Sequence, residues 1–79
     1  MDIEVNLFAS LGRYKPPEAG KDFWVISCPE GMTVMELINL LDVPREEVKL
    51  IFLNGVHATG ETVLTSGDRI GLFPPVGGG

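Results

Sequence analysis

Residues Asp2 to Phe8 alternate polar and apolar, with Ile3, Val5 and Leu7 on one side and Asp2, Glu4 and Asn6 on the other. This is the two-residue period of a half-buried strand. Phe8 departs from it by placing a large ring on the polar side. The stretch "SLGRYKPPEAGKD", rich in Gly, Pro and charge, predicts an irregular loop. A second strand is expected over Phe23 to Cys28. "FWVISC" is apolar on both faces; Trp24, Ile26 and Cys28 are its core-facing set, and "PEG" at Pro29 to Gly31 ends it.

In "TVMELINLLD", Thr33 and Glu36 stand three residues apart and predict a capping box, each side chain satisfying an otherwise orphan backbone donor. Val34, Leu37, Ile38 and Leu41 then make one apolar stripe for packing against a sheet. The helix is expected to stop near Asp42, because the residue before Pro44 is biased away from helical geometry. Pro44 can open a short second turn, with Glu46 and Glu47 as a solvated helix start. "KLIFL" reads as a short apolar strand of the kind found in the middle of a sheet. Asn54-Gly55 turns it back into Val56 to Ala58. After Val63, Leu64 and the turn "TSGD", the stretch "RIGLF" forms the last strand. Ile70 and Leu72 face inward there, Arg69, Gly71 and Phe73 outward, and Pro74-Pro75 ends the ladder.

Strand, strand, capped helix, strand, short strand, strand is an α+β order in which a single helix must bury its stripe across one face of a mixed sheet. It predicts a ubiquitin-like β-grasp domain over residues 1–75, with four to five strands, the first and last of them neighbours at its centre. A flexible tail is expected over 76–79. At 79 residues there is room for one modest core, since a chain of this size buries only about 60% of its unfolded surface.

Composition narrows the partners. Eleven acidic residues against six basic ones give a formal charge of -5, with no Lys/Arg cluster, so nucleic acid and anionic membrane are poor partners and a basic protein surface fits better. The single cysteine rules out an internal disulfide and suits a reducing, cytoplasmic setting. "MDIEVNLFAS" has no signal-peptide pattern, and no apolar run approaches the roughly 20 residues that span a bilayer.

Enzymatic motifs are absent: there is no GxxxxGK[ST] loop, no GxSxG elbow and no HExxH pair, and one histidine makes no metal site. His57, just after the Asn-Gly turn, is expected to face solvent. Cys28 reads as an inert strand thiol, with sulfur chemistry as the rival reading. Phe8 and Phe73 fall on adjacent strands, pointing away from the helix, and together predict an exposed apolar contact surface. Beyond Pro75 come Val76, Gly77, Gly78 and Gly79. Six residues from Pro74 onward reach roughly 20 Å, and a strip of backbone without side chains can thread a narrow channel in another protein. A linker remnant is the rival reading of these glycines.

Three segments carry a family resemblance. "PEGMTVMELI" resembles the loop-to-helix segment of the small sulfur-carrier proteins of the MoaD and ThiS type. "LTSGDRIGLFPP" resembles their Leu-x-x-Gly-Asp turn and final strand, and "FPPVGGG" the Phe-Pro-Pro-Val-x-Gly-Gly ending of the molybdopterin synthase small subunit. "LNGV" fits as well. The resemblance implies that the carboxylate of Gly79, reached through Gly78, is adenylated by an E1-like, ATP- and magnesium-dependent enzyme and converted to a thiocarboxylate. This chain then binds no cofactor of its own and is a monomer when free. Its sulfur would pass to a molybdopterin synthase large subunit or another acceptor. Phe8 and Phe73 match the family's apolar docking positions, and Pro74, Pro75, Val76 and Gly77 its partner-contacting arm. The same tail fits a carrier for thiamine, cysteine or tRNA thiolation, a protein modifier joined through Gly79, or a plain interaction module. In one respect the tail departs from the family, carrying glycine where a small variable residue usually precedes the last two.

Overall fold

The computed structural model describes residues 1–75; the expected tail, Val76 to Gly79, lies outside the described residues. The alternating segment forms β1 (Asp2–Leu7), followed by β2 (Trp24–Ser27), the helix α1 (Val34–Leu40), β3 (Leu50–Leu53), β4 (Val56–His57) and β5 (Arg69–Phe73). The strands make one sheet in the order β2-β1-β5-β3-β4. β1 and β5 run parallel, pairing Glu4 with Arg69, Val5 with Ile70, Asn6 with Gly71 and Leu7 with Leu72. The other pairs are antiparallel. This mixed sheet with one α-helix is the ubiquitin-like β-grasp fold that the element order predicts.

Period-two patterning decides what is buried. Ile3, Val5 and Leu7 of β1 and Ile70 and Leu72 of β5 meet Val34, Leu37 and Ile38 of α1 in one aliphatic core. Trp24 and Ile26 pack against its edge, and Cys28 is buried. The helix starts where predicted. The Glu36 N–H donates to Thr33 Oγ1 at 3.2 Å and the Thr33 N–H to Glu36 Oε1 at 2.9 Å. The next donors, the N–H groups of Val34 and Met35, reach the carbonyls of Thr62 and Gly60, both at 2.9 Å. The segment around Val63 therefore closes the start of α1, forming a single bridge to Thr33. The helix ends through Leu41 into Asp42 at φ 59°.

Several local expectations are corrected. The stretch expected to be an irregular loop contains two 3-10 helices, Ala9–Tyr14 and Pro17–Ala19. Leu11 carries the first of them into the core, fully buried. Pro44 is extended (ψ 132°) and precedes the short 3-10 turn Arg45–Glu47 rather than opening it. Glu47 is not simply solvated: it accepts hydrogen bonds from Arg13 and from the Tyr14 hydroxyl, the latter at 2.8 Å, which ties that turn to the first 3-10 helix. β3 lies between β5 and the two-residue β4, so it is half-buried rather than central. Its ladder stops at His57, although the Ala58 N–H still reaches the Ile51 carbonyl at 2.8 Å.

The turn before β5 is held by side chains. Asp68 accepts from the Thr65 N–H at 2.8 Å and from Asn54 Nδ2 at 2.9 Å, while Asn54 Oδ1 accepts from the Arg69 N–H at 2.9 Å. Asn54 and Gly55 both have positive φ, 54° and 82°, as a two-residue hairpin turn requires. Burial pushes the Asp68 carboxyl up, but the bonds from Asn54 and from the backbone and hydroxyl of Thr65 outweigh it and hold it below the ordinary carboxylate value. A group held low in the folded state contributes stability above its unfolded value, and that contribution fades as pH falls through the folded value.

Two outcomes follow from these contacts. Thr33→Ala removes the cap and should cost about 1 kcal/mol, read as a melting temperature lower by roughly 4–8 °C in a domain of this size. Asp68→Ala should be less stable than the wild type at pH 7. In urea unfolding from pH 7 down to pH 2, the gap between the two should narrow below the ordinary carboxylate range; a gap independent of pH would rule out this role for the charge.

Candidate functional site

The face of the sheet opposite α1 is aromatic. All four phenylalanines of the chain lie there, and none belongs to the core. Phe8, immediately after β1, and Phe73, at the end of β5, stack with centroids 4.3 Å apart and planes 1° from parallel. Phe52 of β3 meets Phe73 edge to face at 5.6 Å, and Phe23, just before β2, meets Phe8 likewise at 6.2 Å. His57 of β4 extends the row, edge to face with Phe52 at 5.8 Å. One aromatic group thus comes from, or from beside, each of the five strands. Such contacts are worth about 0.5–1.5 kcal/mol beyond burial, enough to hold the rings as a surface rather than as independent side chains.

Gly71 makes the stack possible. It pairs across β3 with Phe52, and a Cβ there would stand 2.9 Å from Phe8 Cε2, closer than real contacts allow. The Phe8 ring therefore occupies the space a side chain would take. The rings and Gly71 border a shallow cleft whose rim includes Glu4 and Arg69. Arg69 donates to Glu4 at 3.1 Å and lies 4.7 Å above the Phe23 ring. Asn6, paired with Gly71, is only 6% exposed, and its Oδ1 has no hydrogen-bond partner among the described residues.

Of the residues singled out in the sequence, Phe8 and Phe73 are brought into direct contact. Pro74, half-buried, and Pro75, exposed, follow them directly. Val76, Gly77, Gly78 and Gly79 lie outside the described residues. His57 is exposed, as expected, and also belongs to the aromatic row. Cys28 is buried. Phe23 and Phe52 were not anticipated as surface residues. The signal available for Phe52 was a strand apolar on both faces: Ile51 and Leu53 pack on the core, leaving Leu50 and Phe52 for the open side. Among the described residues, no group of three or more His, Cys, Asp and Glu side chains could hold a metal ion. No helix among them is long and apolar enough to cross a membrane.

Gly71→Ala tests the geometry directly. Its backbone suits any residue, so the fold should survive, but the new methyl must displace Phe8. The ring-current-shifted aromatic signals of Phe8 and Phe73 should move, while the methyl signals of Ile3 and Leu37 stay in place. Unchanged aromatic shifts would show that the Phe8 ring does not rest on Gly71 in solution.

Comparison with known proteins agrees with this architecture. The chain resembles the putative molybdopterin converting factor subunit 1 of Pyrococcus furiosus, with 28% identity over 95% of this chain and 98% of that one and a TM-score of 0.70. It also resembles a chain in the complex of subunits 1 and 2 of the molybdopterin-converting factor of Helicobacter pylori (27%, all of both chains, TM-score 0.61). A third likeness is to the small archaeal modifier protein 1 of Methanosarcina acetivorans (25%, 99% of this chain and 96% of that one, TM-score 0.65). No curated protein matches. The ThiS family model matches residues 17–79, most of the sequence from the first proline pair to the final glycine, and the chain therefore belongs to the ThiS family of ubiquitin-like sulfur carriers.

Proposed function

We propose that this protein is a carrier activated at the carboxylate of Gly79, with the aromatic face as its docking surface and Pro74 to Gly78 as the arm that enters the partner's active site. The observation that carries the reading is positional. β5 delivers the chain past the Phe8–Phe73 stack directly into Pro74-Pro75, and the family match continues from there to Gly79. A surface that docks beside the arm can aim it.

A free carboxylate is a poor electrophile. An E1-like adenylyltransferase, holding ATP and magnesium, supplies the remedy: a Gly79 carboxylate oxygen attacks the α-phosphorus, pyrophosphate leaves, and the acyl group becomes bonded to AMP. A sulfide-equivalent nucleophile then adds at the acyl carbon and expels AMP, leaving the thiocarboxylate. This chain contributes the acyl group and its presentation. Glycine at 78 and 79 keeps the arm narrow, and the stiff proline pair keeps its base turned outward.

Two destinations for the activated carbonyl have support. Likeness to molybdopterin converting factor subunits, together with "FPPV", favours sulfur donation to a molybdopterin synthase large subunit. Likeness to a small archaeal modifier protein favours transfer to protein lysines. Carrier roles in thiamine, cysteine or tRNA thiolation use the same first step.

Intact mass after incubation with the E1-like enzyme of the same cell, ATP, magnesium and a sulfur donor should show one oxygen replaced by sulfur, mapped to Gly79. Deleting Gly78 and Gly79 should abolish the exchange without lowering the melting temperature. A mass unchanged with every such enzyme of the cell would overturn the carrier reading. Lysine-linked peptides bearing the Gly79 remnant, recovered from cells, would assign the modifier destination.

A further inference from the structure

The rim of the aromatic cleft carries a second feature. Arg69 and Glu4 are the charged residues that line it. The Arg69 side chain is 56% exposed yet held from two sides, by the Phe23 ring at 4.7 Å and by Glu4 at 3.1 Å. A guanidinium has five N–H donors in a rigid fork, and only one nitrogen is engaged with Glu4. The side chain is thus already ordered, with donors not taken up by Glu4, beside a cleft lined by the four phenylalanine rings. Ordering before contact removes part of the entropic cost of binding.

Resting on the docking role of this face, we propose that the cleft is a two-part receptor for a protein partner. One large apolar side chain of the partner packs on the exposed surfaces of the phenylalanine rings, and the carboxylate of a neighbouring Asp or Glu engages Arg69. The planar fork matches a carboxylate, and a buried apolar anchor with an adjacent polar contact is the usual form of a binding hot spot. Glu4 tempers the attraction, so this contact chooses among partners more than it draws them in. With a net charge of -5, long-range attraction comes from a basic partner surface, and the single carboxylate at Arg69 fixes the register.

The test uses the full chain and three probes: the N-acetyl, C-amide dipeptides Phe-Asp, Phe-Asn and Phe-Lys, each titrated while the amide resonances of Gly71 and Phe73 and the Nε–H of Arg69 are followed by NMR. All three should shift Gly71 and Phe73. Phe-Asp should bind about two- to fivefold more tightly than Phe-Asn, the size expected for an ion pair that stays partly exposed, and Phe-Lys should be weakest. Arg69→Gln should abolish the preference of Phe-Asp over Phe-Asn, and Arg69→Lys should fall between. Equal affinity for Phe-Asp and Phe-Asn, a preference that survives Arg69→Gln, or no shift at the cleft with any probe would overturn the proposal. None of these readouts involves Gly79 or an activating enzyme. Loss of sulfur exchange would therefore count against the carrier function alone, and loss of the carboxylate preference against the cleft alone.

Discussion

Parallel pairing of the first and last strands requires a long crossover between them, and here nearly the whole chain is that crossover. The ladder from Glu4–Arg69 to Leu7–Leu72 is bracketed by two further bonds, from the Glu4 N–H to the Asp68 carbonyl at 2.9 Å and from the Phe8 N–H to the Leu72 carbonyl at 3.0 Å. On one face it sets Ile3, Val5 and Leu7 beside Ile70 and Leu72 to receive the helix. On the other it brings Phe8 to Phe73 and Glu4 to Arg69. Shifting the register by one residue would exchange the faces of β5, losing the core and the aromatic surface together.

The phenylalanines are kept out of the core. Branched aliphatic side chains, which interlock closely, fill the space under the helix, while the phenylalanines cover the open face. A small domain with a limited core would gain stability by burying its largest apolar side chains. This one leaves its four phenylalanines half exposed on one face of the sheet.

What lies around β5 is a set of fixed contacts. The described residues hold no cluster of metal ligands and one buried cysteine. What they supply is a rigid frame: the capped helix, the Asn54–Asp68 hydrogen-bond lock and the tie between Glu47 and Tyr14 fix the elements around β5. The last of these strands leads straight from the aromatic surface into the proline pair.

Much of this was legible in the sequence. Alternation in β1, the capping box at Thr33 and Glu36, the Asn-Gly turn and the proline stop after Phe73 are local signals, because each is a matter of backbone geometry within a few residues. They sufficed to predict the fold and to place Phe8 beside Phe73. Tertiary structure alone decided the rest. Leu11 enters the core because a 3-10 turn folds back against β1 and β5, which no local period encodes. Glu47 is held by groups more than thirty residues away. Phe23 and Phe52 join the aromatic face, and Arg69 is pinned at its rim, only once strands distant in sequence lie side by side. Sequence carries the geometry of single elements; which side chains face one another across a sheet follows from register, a property of paired strands that neither strand possesses alone.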